Sequence, residues 1–427
     1  MQPDAPIPSI MKGLLDSTAA VPDLVVRHGS GLPDCDLPRL SIVVLSLDGK
    51  HLLEGFLDSV RAQGYPSDRL EVILIDNGSR DGTPGVVRTR WPWVKLVVNT
   101  ENRGFSAGCN QGARMATQAD ALVFLNNDIR LDAGFLRELV GPIVRGECQA
   151  TTGKMLSWDG KLLNSAGGGM NLHGIGLQRG YMHPPEPRYD IPRKTLFACG
   201  GAMAIDARVF HESGGFDEEF FAYYEDVDLG WRLWVLGHEV HYVPAAVCYH
   251  HHSSTSRRLP YETIRLLQTR NPLLACVKNY ERQNLERVLP VALGLFLRRM
   301  RLTAGDLDEQ PFRIEHARPA ATGLISRVWR RFLRTPEHGY ELSRLAVADL
   351  LAANDLLRAW PHWMERRESV QSRRKRPDAD IIDLFLKPHW IIAGDPTYVD
   401  LQEGLTELFA LDHVFAGRTD DEPLPVG

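Results

Sequence analysis

The chain has 427 residues, of which 44% are hydrophobic and 24% are charged, a balance typical of globular proteins. Its formal net charge of −5 gives no general reason to expect nucleic-acid binding. Since 427 residues exceed one ordinary hydrophobic core, we expect two domains. The six cysteines form no C-x-x-C pair, which argues against a zinc knuckle or a disulfide scaffold and favours a reducing compartment.

The sequence carries no strong targeting or membrane signal. Residues 1–4 lack the basic start of a signal peptide, and no stretch reaches the roughly 20 apolar residues that span a bilayer. We therefore expect a cytoplasmic protein. Residues 287–301 join an apolar stretch to terminal arginines, as in helices that lie in a membrane surface. The alternative is a helix packed on the chain or on another subunit, so peripheral contact with the inner face of the cell membrane and homo-oligomer formation both stay open.

The predicted elements begin after an N-terminal arm. Residues 1–38 are rich in Pro, Asp and Gly and show little periodicity, so we expect them to be loosely ordered. From residue 40, short β-branched runs alternate with stretches of helical spacing. The predicted strands are 40–45, 71–75, 94–98 and 122–125, and the predicted helices are 52–60 and the residues after 105. This alternation indicates βαβ units and a mostly parallel sheet flanked by helices.

Polar residues follow these predicted strands at their carboxyl ends. The sequence Asp-Asn-Gly-Ser at 76–79 follows the second strand, and Asn-Asn-Asp at 126–128 follows the fourth. In open α/β sheets, ligands bind outside the carboxyl ends of the strands, and a carboxylate there can hold a hard divalent cation. An ordinary turn and a capped loop are the alternatives, because Asp and Asn are common turn residues. We predict a ligand-binding rim along this edge of the sheet.

The second half of the chain predicts two further strands, a helix between them, and then helices only. Residues 197–205 predict a strand with a close backbone approach at its glycines, 220–236 a helix, and 240–247 another strand. After residue 256 the composition becomes helical and arginine-rich. We therefore predict an α/β domain over residues 39–256 and an all-α region over residues 257–427, which would make membrane-surface or oligomer contacts.

Six motifs in a fixed order carry a family resemblance: residues 76–83, 102–110, 126–128, 214–218, 225–229 and 250–252. With them, residues 40–258 resemble an inverting family 2 glycosyltransferase with the GT-A fold, closest to the bacterial rhamnosyltransferase-like branch. Two features depart from the pattern. Asp48 stands where the family often has asparagine, and the Q-x-x-R-W signature of processive synthases is missing near Trp231. The resemblance therefore implies transfer of one sugar, or a few, instead of extrusion of a long polymer.

The resemblance implies a metal-dependent hexosyltransferase that uses a nucleoside-diphosphate sugar. Rhamnose carried by dTDP is the favoured donor, and sugars carried by UDP are the alternative. Mg²⁺ or Mn²⁺ would neutralise the leaving diphosphate, with Asp128 as the first metal ligand. Asp76 would accept hydrogen bonds from the base or ribose, because an ionised carboxylate only accepts. The implied donor-binding residues are Asp76, Asn77, Ser79, Asp48, Arg103, Asn126 and Asn127.

The histidine run at 250–252 supplies the second implied metal ligand. Imidazole suits Mn²⁺ less than carboxylate does, but mixed sites occur. If the run continues a strand, His250 and His252 share a face and His251 points to the other. We predict His250 as the metal ligand, with His252 next. A solvated or hydrogen-bonded histidine is the expected state of the other two.

The acidic cluster at 225–228 is the implied catalytic element. Asp226 would take the proton of the acceptor hydroxyl as general base, and Glu225 would orient the site and raise its neighbour's pKa. The alternative for this cluster is helix N-terminal charge, which favours the positive end of the helix dipole. The predicted acceptor-binding residues are Gly201, Asp217, Tyr224 and Trp231. We expect most aromatic residues around this cluster to be core.

The predicted reaction transfers a sugar to a hydroxyl of a saccharide or lipid-linked saccharide in cell-surface polysaccharide synthesis. A nucleotidyltransferase is one alternative, but residues 47–50 lack its Gly-rich, lysine-bearing phosphate loop. A non-catalytic carbohydrate-binding or scaffolding protein on the same fold is the other. That alternative predicts loss of acidic motif residues, whereas Asp76, Asp128, Glu225 and Asp226 are all present.

Overall fold

The structure is a computed structural model that describes residues 32–251, 259–304, 342–386 and 396–411, together with Val414. Residues 1–31 of the predicted N-terminal arm lie outside the described residues, and so does His252 of the predicted metal site.

A ten-stranded sheet with a two-stranded sheet beside it forms the β structure of the described residues. The strands are β1 (Leu40–Ser46), β2 (Leu70–Asp76), β3 (Lys95–Val98), β4 (Ala121–Asn126), β5 (Ile129–Leu131), β6 (Ala150–Ser157), β7 (Leu163–Ser165), β8 (Gly168–Met170), β9 (Gly176–Gln178), β10 (Arg193–Lys194), β11 (Ala202–Asp206) and β12 (Val240–His250). Along the large sheet the strands run in the order β10-β12-β6-β11-β4-β1-β2-β3, with β5 paired to β12 and β7 paired to β6.

The part of the sheet before residue 130 has the predicted parallel arrangement. Strands β3, β2, β1 and β4 are parallel neighbours, and their register pairs Ser46 with Asp76 and Leu45 with Asn126. Their carboxyl ends therefore meet at one edge. Beyond β4 the sheet is mixed, because β11 lies antiparallel to both β4 and β6. Between β6 and β11 the chain forms loops and short strands and contains no α-helix.

The helices cover both faces of the sheet. The helices are α1 (Leu53–Arg61), α2 (Thr83–Arg90), α3 (Gly104–Met115), α4 (Phe135–Val144), α5 (Ala207–Glu212), α6 (Glu225–Val235), α7 (Tyr261–Asn279), α8 (Arg282–Thr303), α9 (Arg344–Arg358), α10 (Trp360–Gln371) and α11 (Pro396–Leu408). Alternate residues of β1 belong to different hydrophobic clusters, as expected for a strand buried on both faces. Val43 belongs to the cluster that includes residues of α3, α6 and α7, whereas Ile42 and Val44 belong to the cluster that includes residues of α1 and α4.

The C-terminal helices share a hydrophobic core with the sheet. Leu274 and Cys276 of α7 and Val291 of α8 are fully buried in the same cluster as Phe124 of β4. The apolar side of the 287–301 stretch thus packs on the rest of the chain, which is the alternative to a membrane-surface helix. None of the described helices is both long enough and apolar enough to cross a bilayer. The domain boundary at residue 256 stays a prediction, since the core is continuous across it.

Candidate active site

A cleft of about 460 Å³ opens at the carboxyl ends of β1 and β4, on the predicted rim. We call its two walls the sheet side and the helix side. The sheet side consists of Leu45, Leu47, Asn77, Asn102, Asn126, Asn127 and Asp128. The helix side consists of Phe221, Ala222, Tyr223, Tyr224, Glu225, Asp226, Val227 and Gln268. Gly200, Gly201 and His250 also line the cleft.

Asp128 and His250 face each other at the cleft. The Asp128 carboxylate lies 3.2 Å from His250 Nε2, and both side chains are largely buried. The other ring nitrogen of His250, Nδ1, lies 3.1 Å from the Asn164 amide oxygen and donates to it in the matching tautomer. In that tautomer Nε2 carries a lone pair beside a carboxylate oxygen, and both atoms are of kinds that bind metal cations. These two side chains therefore fit a metal site.

The protein offers this site only a small ligand set. Among the described residues, no group of three or more His, Cys, Asp and Glu side chains is placed to hold a metal ion. Mg²⁺ commonly binds through one or two protein ligands and takes the rest from water and substrate phosphates. Asp128 with His250 is compatible with that kind of site.

The predicted donor residues Asp76, Ser79 and Asp48 lie at the end of β2 and in the two loops that follow β2 and β1, and these loops hydrogen-bond to each other. Asp76 is fully buried and accepts a 3.0 Å hydrogen bond from the Ser79 backbone N–H. The Asp48 carboxylate accepts from the backbone N–H groups of Arg80 and Asp81, and the Asp48 N–H donates to Ser79 Oγ at 2.7 Å. None of these three residues is among those that line the cleft. The donor contacts predicted for them remain predictions.

Asn77 lies on the sheet side and connects β2 to the start of α3. Its amide nitrogen donates to Asn102 Oδ1 at 2.9 Å and to the Gly104 carbonyl at 3.1 Å, and its amide oxygen accepts from the Arg103 N–H at 3.2 Å. The side chain of Arg103 is exposed and lies outside the cleft lining. Arg103 thus contributes its backbone to the site, and the phosphate contact predicted for its side chain remains a prediction.

Asn126 and Asn127 sit at the end of β4, next to Gly201. The Asn127 amide donates to Ser46 Oγ at 3.1 Å, which fixes it to the end of β1. A Cβ atom at Gly201 would lie 2.7 Å from the Asn126 amide nitrogen, so a side chain there would displace Asn126. The absence of a side chain at Gly201 therefore leaves room for Asn126. This agrees with the close backbone approach predicted at the glycines of this strand.

Glu225 and Asp226 begin α6 and line the helix side. Asp226 Oδ2 accepts from the Gly200 N–H at 3.0 Å, and Oδ1 accepts from the Val227 N–H at 2.8 Å. Glu225 Oε2 is buried and has no hydrogen-bond partner among the described residues. Burial raises the pKa of both carboxyl groups, and the charge of Asp226 raises the pKa of Glu225 further.

The backbone just before Glu225 is in an uncommon conformation. Phe221, Tyr223 and Tyr224 have φ angles of 61°, 66° and 68°, in the left-handed region that non-glycine residues rarely adopt. The Asn271 amide nitrogen of α7 lies 2.7 Å from the Tyr223 carbonyl and 3.0 Å from the Phe220 carbonyl. Tyr224, predicted to contact the acceptor, does line the cleft.

Two predicted acceptor contacts are corrected by the structure. The Asp217 carboxylate is buried away from the cleft, 2.6 Å from Lys278 Nζ and bonded to Arg366. Although burial opposes it, the charges of Lys278 and Arg366 hold the pKa of Asp217 far below its usual range. Trp231 is 1% exposed and packs edge-on against Tyr280, so it belongs to the core.

Sequence reasoning missed Gln268 and Asn271, which reach the site from α7. The only signal was weak: polar Asn271, Lys278 and Asn279 flank an apolar stretch over 273–277. Such a pattern does not reveal which distant segment the polar groups contact.

Comparison with known proteins decides the family. The model of the family described as "Glycosyl transferase family 2" matches residues 41–214. An N-acetylglucosaminyl-diphospho-decaprenol L-rhamnosyltransferase of Mycobacterium tuberculosis is 31% identical over 247 residues, which cover 51% of this chain and 78% of the relative. This protein belongs to glycosyltransferase family 2. The predicted fold class, an α/β glycosyltransferase sheet followed by a helical region, is confirmed.

Other matches to this family 2 glycosyltransferase are more partial. The O-antigen biosynthesis protein RfbC of Myxococcus xanthus is 32% identical over 230 residues, which cover 52% of this chain and only 18% of that relative. The crystal structure of GalNAc-T7 with UDP, GalNAc and Mn²⁺ superposes with a TM-score of 0.48 at 17% identity, covering 60% of this chain and 51% of that one.

Proposed function

We propose that this family 2 glycosyltransferase transfers a sugar, with rhamnose favoured, from a dTDP- or UDP-linked donor to a hydroxyl of a saccharide or lipid-linked saccharide, with inversion at the anomeric carbon. The observation that carries the proposal is that Asp128, His250 and Asp226 line one cleft. The choice of rhamnose and of a lipid-linked acceptor follows the name of the Mycobacterium tuberculosis relative.

The sheet side would bind the donor. Asp128 and His250 would hold Mg²⁺ or Mn²⁺, which when bound neutralises the charge of the leaving diphosphate. Asn126 and Asn127 present amide groups beside it, and an amide both donates and accepts hydrogen bonds. Because the parallel strands and the Asn77 contacts fix this wall, it offers the nucleotide a preformed surface.

The helix side would activate the acceptor. Asp226 takes the proton of the acceptor hydroxyl while that oxygen forms a bond to the anomeric carbon. The bond between this carbon and the phosphate oxygen breaks, and the nucleoside diphosphate leaves with the electron pair. The Gly200 and Val227 N–H groups keep the Asp226 carboxylate oriented toward the cleft. Burial raises the pKa of this carboxyl, which makes it a stronger base than an exposed aspartate.

The test is direct transfer with stereochemistry. Wild-type protein with Mg²⁺ or Mn²⁺ is incubated with dTDP-rhamnose, or with a panel of UDP-sugars, and an N-acetylglucosaminyl diphosphate lipid analogue. We expect a new glycosidic bond whose anomeric configuration, read by NMR, is opposite to that of the donor. A product with retained configuration, or no product with any donor, would contradict the proposal.

A further inference from the structure

Helix α7 turns a row of polar side chains toward the segment that carries Asp226. Lys278 Nζ lies 2.6 Å from Asp217 and 2.8 Å from Asp228, on either side of that residue in sequence. Asn271, two turns earlier, contacts the backbone of residues 220–223. Helix α7, which belongs to the predicted C-terminal region, thus makes several hydrogen bonds and ion pairs to the segment that forms the helix side of the cleft.

Asn271 holds the wall residues in their uncommon conformation. Its side chain is completely buried, and its amide nitrogen lies within 3.0 Å of the carbonyl oxygens of Phe220, Ala222 and Tyr223. On the other side, the Phe221 carbonyl accepts from the Phe105 N–H at the start of α3. Three converging carbonyls without a donor are costly when buried, so Asn271 stabilises this backbone shape.

Gln268 precedes Asn271 by three residues and therefore lies on the same side of α7. It is exposed and lines the cleft together with Tyr223 and Tyr224. Its side-chain amide has no hydrogen-bond partner among the residues that the structure describes. An amide both donates and accepts, which suits the hydroxyl groups of a sugar.

We propose that α7 forms part of the acceptor site. Gln268 is a specificity residue that hydrogen-bonds the acceptor saccharide, and Asn271 is a positioning residue that holds residues 220–224 around it. This inference rests on the proposed function, because it names residues that bind the acceptor of that reaction.

The first variant to test is Gln268→Ala, which leaves the buried structure untouched. We expect the KM for the acceptor to rise about fivefold, the loss of one uncharged hydrogen bond, while the KM for the nucleotide sugar stays within about twofold. The matched control is Gln283→Ala, which removes the same side chain from an exposed position on α8. It should have wild-type constants for both substrates.

The second variant is Asn271→Ala. We expect kcat for transfer to fall at least about tenfold, because the wall next to Asp226 loses its shape. Nucleotide affinity, measured by calorimetry, should stay within about twofold, since the sheet side is unchanged. A purely structural role would lower the melting temperature but leave kcat per folded molecule unaltered, and that result would overturn the positioning role.

The outcomes separate this inference from the proposed function. Transfer by the wild type with an unchanged acceptor KM in Gln268→Ala overturns the specificity role alone. Absence of transfer by the wild type overturns the proposed function and this inference with it. If Asn271→Ala does not fold, the Gln268→Ala and Gln283→Ala pair still decides whether α7 reaches the acceptor.

Discussion

On the sheet side of the cleft, the polar residues stand directly after paired strands, whereas the segment that forms the helix side is held by polar side chains of α7. Asp128 follows β4 by two residues, and its position is set by the parallel pairing of β4 with β1. Tyr223, Asp217 and Asp228 are instead fixed by α7 residues that lie 48 to 61 positions away in the sequence. The first wall is held by strand pairing within the sheet, and the second depends on docking of a helix.

Substitutions on the two walls should therefore change different properties of the protein. Changes on the sheet side should alter nucleotide binding with little effect elsewhere, because the wall is part of a rigid sheet. Changes behind the helix side should alter folding stability and acceptor use, because buried polar contacts hold it.

The largest effect is expected for Asp226→Asn, which removes the base and keeps the shape of the side chain. Transfer should fall between about 10²-fold and 10⁴-fold in kcat, the usual contribution of a general base. Nucleotide affinity should change by less than about threefold, since Asp226 lies on the opposite wall. Initial rates with a labelled donor measure the change in kcat, and calorimetric titration with the nucleotide measures the change in affinity. A variant that keeps wild-type kcat would show that another group takes the proton.

Breaking the ion pair behind the helix side should cost stability. Lys278 is 3% exposed and lies between Asp217 and Asp228, so Lys278→Met leaves two buried carboxylates without this cation. We expect a loss of about 3–5 kcal/mol in the free energy of unfolding, measured by urea denaturation. The control Lys161→Met, at a side chain that is 75% exposed, should cost less than about 1 kcal/mol.

A loss that is equally small in both lysine variants would contradict the view that the helix side is held by buried charges. It would also remove the contrast between the two walls, because neither would then depend on α7.

The smallest effect is expected for Glu225→Gln, and it should depend on pH. Burial and the neighbouring Asp226 raise the pKa of Glu225 above its ordinary value of 4.5, so its neutral form stabilises the fold at low pH and that contribution is lost as pH rises through the raised pKa. Glutamine does not ionise. The stability of the variant relative to wild type should therefore increase with pH, by an amount on the order of 1 kcal/mol. Melting temperatures at pH 4 and pH 8 measure it.

If the stability difference between variant and wild type is constant with pH, or favours the wild type more at pH 8, the raised pKa of Glu225 is contradicted. The same variant should keep more than about a tenth of wild-type transfer, because Asp226 remains the base.

The parallel part of the sheet could be predicted because its strands have a recognisable amino-acid pattern. The runs that form β1, β2 and β4 are continuous β-branched or apolar stretches, and each ends in a polar residue that marks the rim. The antiparallel entry of β11 was not predictable, since strand direction depends on the path of the connecting chain. For the same reason, the sequence did not show that α7 and α8 share a core with the sheet.

The part of the site that lies at the ends of strands could be predicted from the sequence. Asp128, His250 and Asp226 come together in one cleft as the motifs suggested. Asp217 and Trp231 lie near Asp226 in sequence, but Asp217 pairs with Lys278 and Trp231 is buried in the core. Long-range polar contacts cannot be read from local patterns, which is why Asn271 was missed.

The most direct test of the central claim, that the sheet side is a metal-dependent nucleotide site, is a thermal-shift measurement. Wild type and Asp128→Ala are melted with dTDP, UDP and their sugars, with and without Mn²⁺ or Mg²⁺. A ligand that binds only the native state at 100 times its Kd stabilises it by about 2.7 kcal/mol. We predict metal-dependent stabilisation of the wild type by one of these nucleotides and its loss in Asp128→Ala. Equal stabilisation of both proteins, or none in the wild type, would contradict the account.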